Sequence, residues 1–105
     1  MIQPNEKKFF NNRELGIAVV GAGRIGTRRA TIAANHPGVR FLAISDKEPS
    51  RARDLATQVN AQFFSGDNLE VISRPEVDAV IVSTSEHEHT RPVLQALEQK
   101  RGIAF

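Results

Sequence analysis

Short apolar runs alternate with amphipathic stretches along the chain from Leu15 onward. The clearest run is Ala79-Val80-Ile81-Val82, and an uninterrupted apolar run of this kind predicts a strand covered on both faces. The predicted strands are residues 15–20, 39–45, 61–64 and 78–84, with the opening of a fifth at 103–105.

Each stretch between two of these strands predicts a helix with one apolar stripe. Ala52, Leu55, Ala56 and Val59 fall on one such stripe, and Pro49 suits the first turn before them. The first predicted helix follows Gly26, runs to about residue 35 and stops at His36-Pro37-Gly38, and the second covers residues 49–59. A short third helix is capped by Asp67 or Asn68, buries Leu69 and Ile72 and ends before Pro75. The last covers about residues 89–100, buries Val93, Leu94 and Leu97 and stops at Gly102. Alternating strands and helices predict an α/β fold, a doubly wound parallel sheet (Rossmann fold) in three α/β/α layers.

Residues 1–14 follow neither the helix nor the strand period. We predict a flexible N-terminal extension at 1–14 and a single dinucleotide-binding domain at 15–105. Alternatively, Phe9 and Phe10 dock on the domain or on a partner.

Composition narrows the classes of function. The 105 residues carry 14 Lys and Arg against 12 Asp and Glu, and the formal charge of +2 does not by itself indicate a nucleic-acid partner. Without cysteine, a disulfide framework, a thiolate metal site and a Cys nucleophile are excluded. The longest strongly apolar stretch, residues 16–23, is shorter than the roughly 18 residues of a membrane helix. We therefore expect a cytoplasmic domain that binds neither nucleic acid nor membrane.

A glycine motif, Gly21-Ala22-Gly23-Arg24-Ile25-Gly26, joins the first predicted strand to the first predicted helix. In this context the first glycine permits a tight turn, the second leaves room for a pyrophosphate, and the third lets the helix approach the sheet. Backbone N–H groups at the helix start would hold the pyrophosphate, and Arg24 would add a charged contact or stay solvated. The alternative is a plain strand-to-helix turn without a ligand.

Asp46 ends the second predicted strand, 20 residues after Gly26. A carboxylate there accepts hydrogen bonds from ribose hydroxyls and repels a 2′-phosphate, which favours NAD over NADP. Lys47 and Arg51 complicate this preference, because either cation can neutralise a phosphate. The alternative for Asp46 is an acid that merely starts a turn.

The segment Ser83-Thr84-Ser85-Glu86-His87-Glu88-His89 follows the fourth predicted strand. Its two histidines are two residues apart and do not match zinc-site spacing, so we predict no metal site. The segment is predicted either to contact the nicotinamide half of the cofactor or to serve solvated and capping roles. Arg28 and Arg29 are predicted to lie on a solvated helix face, and the alternative is a nucleic-acid patch, which the lack of interleaved aromatic residues disfavours.

The sequence resembles the N-terminal domain of the glucose-fructose oxidoreductase, inositol dehydrogenase and MocA family. The resemblance rests on the glycine motif, on Ile44-Ser45-Asp46, on the stretch from Pro75 to Val82, and on Ser83-Thr84 followed by His89. It implies a nicotinamide-dependent oxidoreductase acting on a sugar, cyclitol or related polyol, with the Thr84 region and His89 near the nicotinamide ribose. Ser85 and Glu86 depart from the Pro-Asn pair usual in the family.

The resemblance also implies what the chain lacks. The family's Glu-Lys-Pro motif and its larger C-terminal domain, which carries substrate-binding and acid/base groups and often mediates self-association, would follow Phe105. Because the chain ends on an apparent unfinished strand, we expect it to be a fragment of a longer enzyme, with no catalytic residue of its own. The alternatives are a nucleotide-binding sensor without redox turnover and a methyltransferase with a related glycine turn.

The predicted cofactor-binding residues are Gly21, Gly23, Arg24, Ile25, Gly26, Asp46, Lys47, Ser83, Thr84 and His89.

Overall fold

A computed structural model describes residues 15–85 and 87–105. The predicted extension at residues 1–14 and Glu86 lie outside the described residues. The elements in chain order are β1 Leu15–Val20, α1 Arg24–Asn35, β2 Val39–Ser45, α2 Pro49–Val59, β3 Phe63–Ser65, α3 Asn68–Ile72, β4 Ala79–Val82, α4 Thr90–Glu98 and β5 Gly102–Ala104. None of the helices in this part of the chain is long and apolar enough to cross a membrane.

The five strands form one parallel sheet in the order β3-β2-β1-β4-β5. Alternate residues of each central strand point to opposite faces, so β1 sends Ile17 and Val19 to one side and Ala18 and Val20 to the other. Helices α1 and α2 cover the first side, while α3 and α4 cover the second. The predicted three-layer Rossmann fold is confirmed.

This topology determines where a ligand can bind. The chain leaves β1 toward β2 and later returns from β3 to β4 on the other flank of β1. The order of strands therefore reverses between β1 and β4, and a crevice opens beyond their carboxyl ends. The glycine motif and the segment after β4 both lie at that edge.

Local signals set several boundaries as predicted. His36 closes α1, its N–H donating to the Ala33 carbonyl oxygen, and Pro49 lies in the first turn of α2. Asp67, rather than Asn68, caps α3, because its side chain accepts a hydrogen bond from the Leu69 N–H at 2.9 Å. Asn68 instead accepts a hydrogen bond from the Ser45 hydroxyl at 2.8 Å.

The prediction of burial is wrong for three leucines. Leu69, Leu94 and Leu97 are 40%, 53% and 57% exposed. Helix α3 buries Val71 with Ile72, and α4 turns Pro92 and Ala96 inward because these small side chains let it pack close to the sheet.

Two features at the end of the sheet also differ from prediction. Gly102 does not stop a helix: α4 ends at Glu98, Lys100 adopts a left-handed conformation with φ of 58°, and Gly102 begins β5 beside Ala79. Strand β4 is not covered on both faces by the described residues, since Val80 and Val82 are buried but Ala79 and Ile81 only half-buried. Ile81 instead borders an apolar groove of about 340 Å³ between α1 and Phe105.

Candidate cofactor site

The glycine turn after β1 is packed between the ends of β2 and β4. Gly21 has a φ of +105°, its N–H donates to the Ser45 carbonyl oxygen at 2.8 Å, and a Cβ there would lie 2.8 Å from the Ser83 carbonyl group. Gly26 lies directly behind the turn, where a Cβ would overlap the Gly21 carbonyl oxygen. Both positions therefore require glycine, one for its backbone conformation and one for close approach.

The start of α1 opens into the crevice. Gly23 is the N-cap and makes no side-chain capping bond, so among residues 15–85 and 87–105 no side chain caps the first N–H groups of the helix. A Cβ at Gly23 would meet no atom within 4 Å. Gly23, Arg24 and Ile25 are exposed at this end of α1, and the first N–H groups of a helix are a favourable site for an anion.

Asp46 joins the end of β2 to this turn. Its side chain is buried, with Oδ2 accepting a hydrogen bond from the Ala22 N–H at 2.8 Å and Oδ1 accepting one from the Glu48 N–H at 2.9 Å. A carboxylate oxygen has two lone pairs, so each oxygen can still accept a further hydrogen bond. The carboxylate is thus fixed in direction and points toward the glycine turn.

Lys47 reaches across the mouth of the crevice to the segment after β4. Its Nζ lies 2.6 Å from Glu88 Oε1, and the Lys47 side chain is largely and that of Glu88 partly exposed. The hydrogen bond to Glu88 and the negative charge of that carboxylate raise the pKa of Lys47 above its usual value. Sequence spacing gave no indication of this ion pair, because its partners are 41 residues apart.

The segment after β4 supplies hydroxyl groups to the crevice. Thr84 Oγ1 is buried and has no hydrogen-bond partner among the described residues, which is unusual for a buried polar atom. Ser83 Oγ accepts a hydrogen bond from Arg29 Nη1 at 3.2 Å, and the same nitrogen donates to the Val82 carbonyl oxygen at 3.2 Å. The prediction that Arg29 is solvated is therefore wrong, whereas Arg28 is exposed as predicted.

His89 lies outside the crevice. It occupies the N-cap position of α4 without a side-chain capping bond, and its ring contacts Phe105 edge to face at 5.7 Å. Arg24, Ile25 and Gly26 also do not line the cavity, and the first two are exposed at the start of α1.

The crevice has a volume of about 240 Å³. It brings together six of the predicted residues with four others, and its lining consists of Gly21, Gly23, Asp46, Lys47, Arg51, Asn68, Ser83, Thr84, Ser85 and Glu88. A second cleft of about 330 Å³, near Val39 and Asn60, contains none of the predicted site residues. Within residues 15–85 and 87–105, no group of three or more His, Asp or Glu side chains is placed to hold a metal ion.

These observations fit a dinucleotide. An uncapped helix start suits a pyrophosphate, a fixed carboxylate beside it suits ribose hydroxyls, and the unpartnered Thr84 hydroxyl has a free hydrogen-bonding capacity. The fold and the site together define a dinucleotide-binding Rossmann domain.

Comparison with known proteins identifies the family. A family model described as "Oxidoreductase family, NAD-binding Rossmann fold" matches residues 15–104. The chain belongs to this family, the glucose-fructose oxidoreductase, inositol dehydrogenase and MocA oxidoreductases.

Individual relatives agree with this assignment. Inositol 2-dehydrogenase 4 of Saccharopolyspora erythraea is 36% identical over 95 residues, which cover 90% of this chain and 28% of that protein. The structure of GenD2 from gentamicin A biosynthesis, in complex with NAD, has a TM-score of 0.79 at 28% identity and covers 86% of this chain and 26% of its own. That of myo-inositol dehydrogenase from Lactobacillus casei, with NAD(H) and myo-inositol, shares the fold with a TM-score of 0.78 at 23% identity, covering 85% and 27%. The chain thus spans between a quarter and a third of the length of these relatives.

Proposed function

We propose that this chain binds NAD in the crevice at the glycine turn and is the cofactor-binding part of an oxidoreductase. The observation that carries the proposal is the Asp46 carboxylate, held on the Ala22 N–H at 2.8 Å beside an uncapped helix start. This arrangement fixes an acceptor for ribose hydroxyls next to donors for a pyrophosphate.

Each predicted site residue has a role in this proposal. The backbone at Gly23, Arg24 and Ile25 binds the pyrophosphate, while Gly21 and Gly26 shape the turn. Asp46 binds the adenosine ribose, and Lys47 borders that end of the cleft.

The other half of the cofactor extends toward the segment after β4. Ser83 and Thr84 contact it, and the Thr84 hydroxyl gains the partner it lacks among the described residues. His89 lies further along, beside Phe105. Its position near the nicotinamide end of the cofactor stays a prediction.

Bound NAD would supply the hydride acceptor, and this chain's residues would position it. We propose a sugar, cyclitol or related polyol as substrate, because the relative from S. erythraea is named an inositol 2-dehydrogenase. We assign no catalytic residue within 15–105, and substrate contacts are proposed to come from a further domain of the whole protein. A cytoplasmic location and self-association of that protein stay predictions. No feature of the described residues favours a regulatory module without redox turnover.

Calorimetric titration of the 105-residue chain tests the proposal. We expect NAD and NADH to bind at one site and S-adenosylmethionine not to bind, because S-adenosylmethionine has no pyrophosphate for the N–H groups at the start of α1. Saturating NAD should also raise the Tm, since a ligand that binds only the folded state stabilises it. Binding of S-adenosylmethionine without binding of NAD would overturn the assignment.

A further inference from the structure

Two cations stand at the mouth of the crevice next to Asp46, and each is paired with a glutamate. Lys47 Nζ lies 2.6 Å from Glu88 Oε1, and Arg51 Nε lies 3.7 Å from Glu48 Oε2. The first pair is the closer one and joins two separate segments of the chain, since Glu88 follows β4 and Lys47 follows β2. Both of its partners line the cavity.

This pairing bears on the choice between two cofactors that differ by one phosphate. In NADP the 2′-phosphate sits on the adenosine ribose, the group that Asp46 is proposed to bind. Its negative charge needs a nearby cation to offset the Asp46 carboxylate. Lys47, the next residue in the chain, is an exposed cation beside that position.

We propose that Glu88 is a specificity-determining residue that favours NAD over NADP by holding the Lys47 ammonium group. With Glu88 in place, a 2′-phosphate must compete with a carboxylate for this cation. The inference rests on the proposed function, because it assigns the adenosine ribose to the Asp46 side of the cleft. It places a determinant of specificity 41 residues along the chain from the lysine that it holds.

The proposed effect is moderate because the ion pair is exposed. The two side chains are 70% and 41% exposed, and water and salt weaken such pairs. Glu88 therefore biases the choice of cofactor, whereas Asp46 remains the principal barrier to a 2′-phosphate. Raising the ionic strength should reduce the contribution of Glu88.

The variant Glu88→Gln tests the inference, since it keeps the size of the side chain and removes its charge. We expect the ratio of the NADP and NAD dissociation constants, measured by calorimetry on the 105-residue chain, to fall about twofold to fivefold at low salt. Glu98→Gln, on the exposed end of α4, is the matched control for the loss of one negative charge and should leave the ratio unchanged.

A double-mutant cycle shows whether Glu88 acts through Lys47. In a Lys47→Gln background the added change Glu88→Gln should have no further effect on the ratio. A full effect in that background would overturn the inference, as it would mean direct repulsion of the phosphate. An unchanged ratio in Glu88→Gln, with NAD still bound, would refute the inference alone, whereas a wild-type chain that binds neither nucleotide would refute the proposed function and the inference with it.

Discussion

Gly23→Val should abolish detectable NAD binding and leave the domain folded. The expected loss is about a hundredfold or more in affinity, because the branched side chain would occupy the space in front of the first N–H groups of α1, where the pyrophosphate is proposed to lie. The fold should tolerate the change, since a Cβ at Gly23 meets no atom within 4 Å and its φ of −81° suits any residue. Calorimetry and thermal unfolding of the same variant measure the two properties.

Gly26→Ala is the matched comparison, three residues along the same motif. Its added Cβ would overlap the Gly21 carbonyl oxygen, a backbone atom that cannot move without displacing the turn. Overpacking of this kind costs about 2 kcal/mol and should lower the Tm by roughly 10 °C in a domain of this size. Gly23→Val should therefore lower the affinity for NAD, whereas Gly26→Ala should lower the stability of the fold. If Gly23→Val bound NAD with wild-type affinity, the pyrophosphate could not lie at the proposed position.

The hydrophobic pattern was sufficient to predict most of the fold. The run Ala79–Val82 is apolar for its whole length, and His36-Pro37-Gly38 and Pro49 set where the adjacent helices end and begin. These signals are local, so a single sequence contains them. The parallel order of strands follows from their alternation with helices.

The burial of individual helix residues could not be predicted in the same way. Periodicity in α4 offers Leu94 and Leu97 as a stripe, yet the helix is rotated so that Pro92 and Ala96 face the sheet. The rotation depends on how closely the helix can approach β4 and β5, which is a tertiary property. Hydrophobicity ranks leucine above alanine and therefore favours the wrong face.

In the candidate site, too, the features set by local sequence were predictable and the contacts between distant segments were not. The glycine motif and Asp46 were predictable because their spacing reflects the geometry of a single strand-turn-helix unit and the strand that follows it. The contacts of Arg29 with Ser83, and of Lys47 with Glu88, join segments 54 and 41 residues apart. Such contacts depend on which strands are neighbours in the sheet, and charge patterns along the chain do not reveal them.

Asp46→Ala should weaken NAD binding about tenfold to a hundredfold, the range expected when hydrogen bonds from ribose hydroxyls to a charged acceptor are lost. NADP binding should not weaken in parallel, because the same change removes the charge that repels its 2′-phosphate. The preference for NAD should therefore shrink or reverse. Calorimetric titration with both nucleotides measures this change, and Asp54→Ala, an exposed carboxylate on α2, is the control that should alter neither affinity.

A structural effect has to be separated from this loss of binding. Asp46 also accepts hydrogen bonds from the N–H groups of Ala22 and Glu48, and leaving a buried N–H without a partner costs about 1–3 kcal/mol. Asp46→Asn keeps one acceptor oxygen and the shape of the side chain, so it should unfold at a higher temperature than Asp46→Ala. Because asparagine carries no charge, Asp46→Asn should still lose most of its preference for NAD. If Asp46→Asn discriminated against NADP as strongly as the wild-type chain does, charge at this position could not be the basis of the selection, and shape alone would have to explain it.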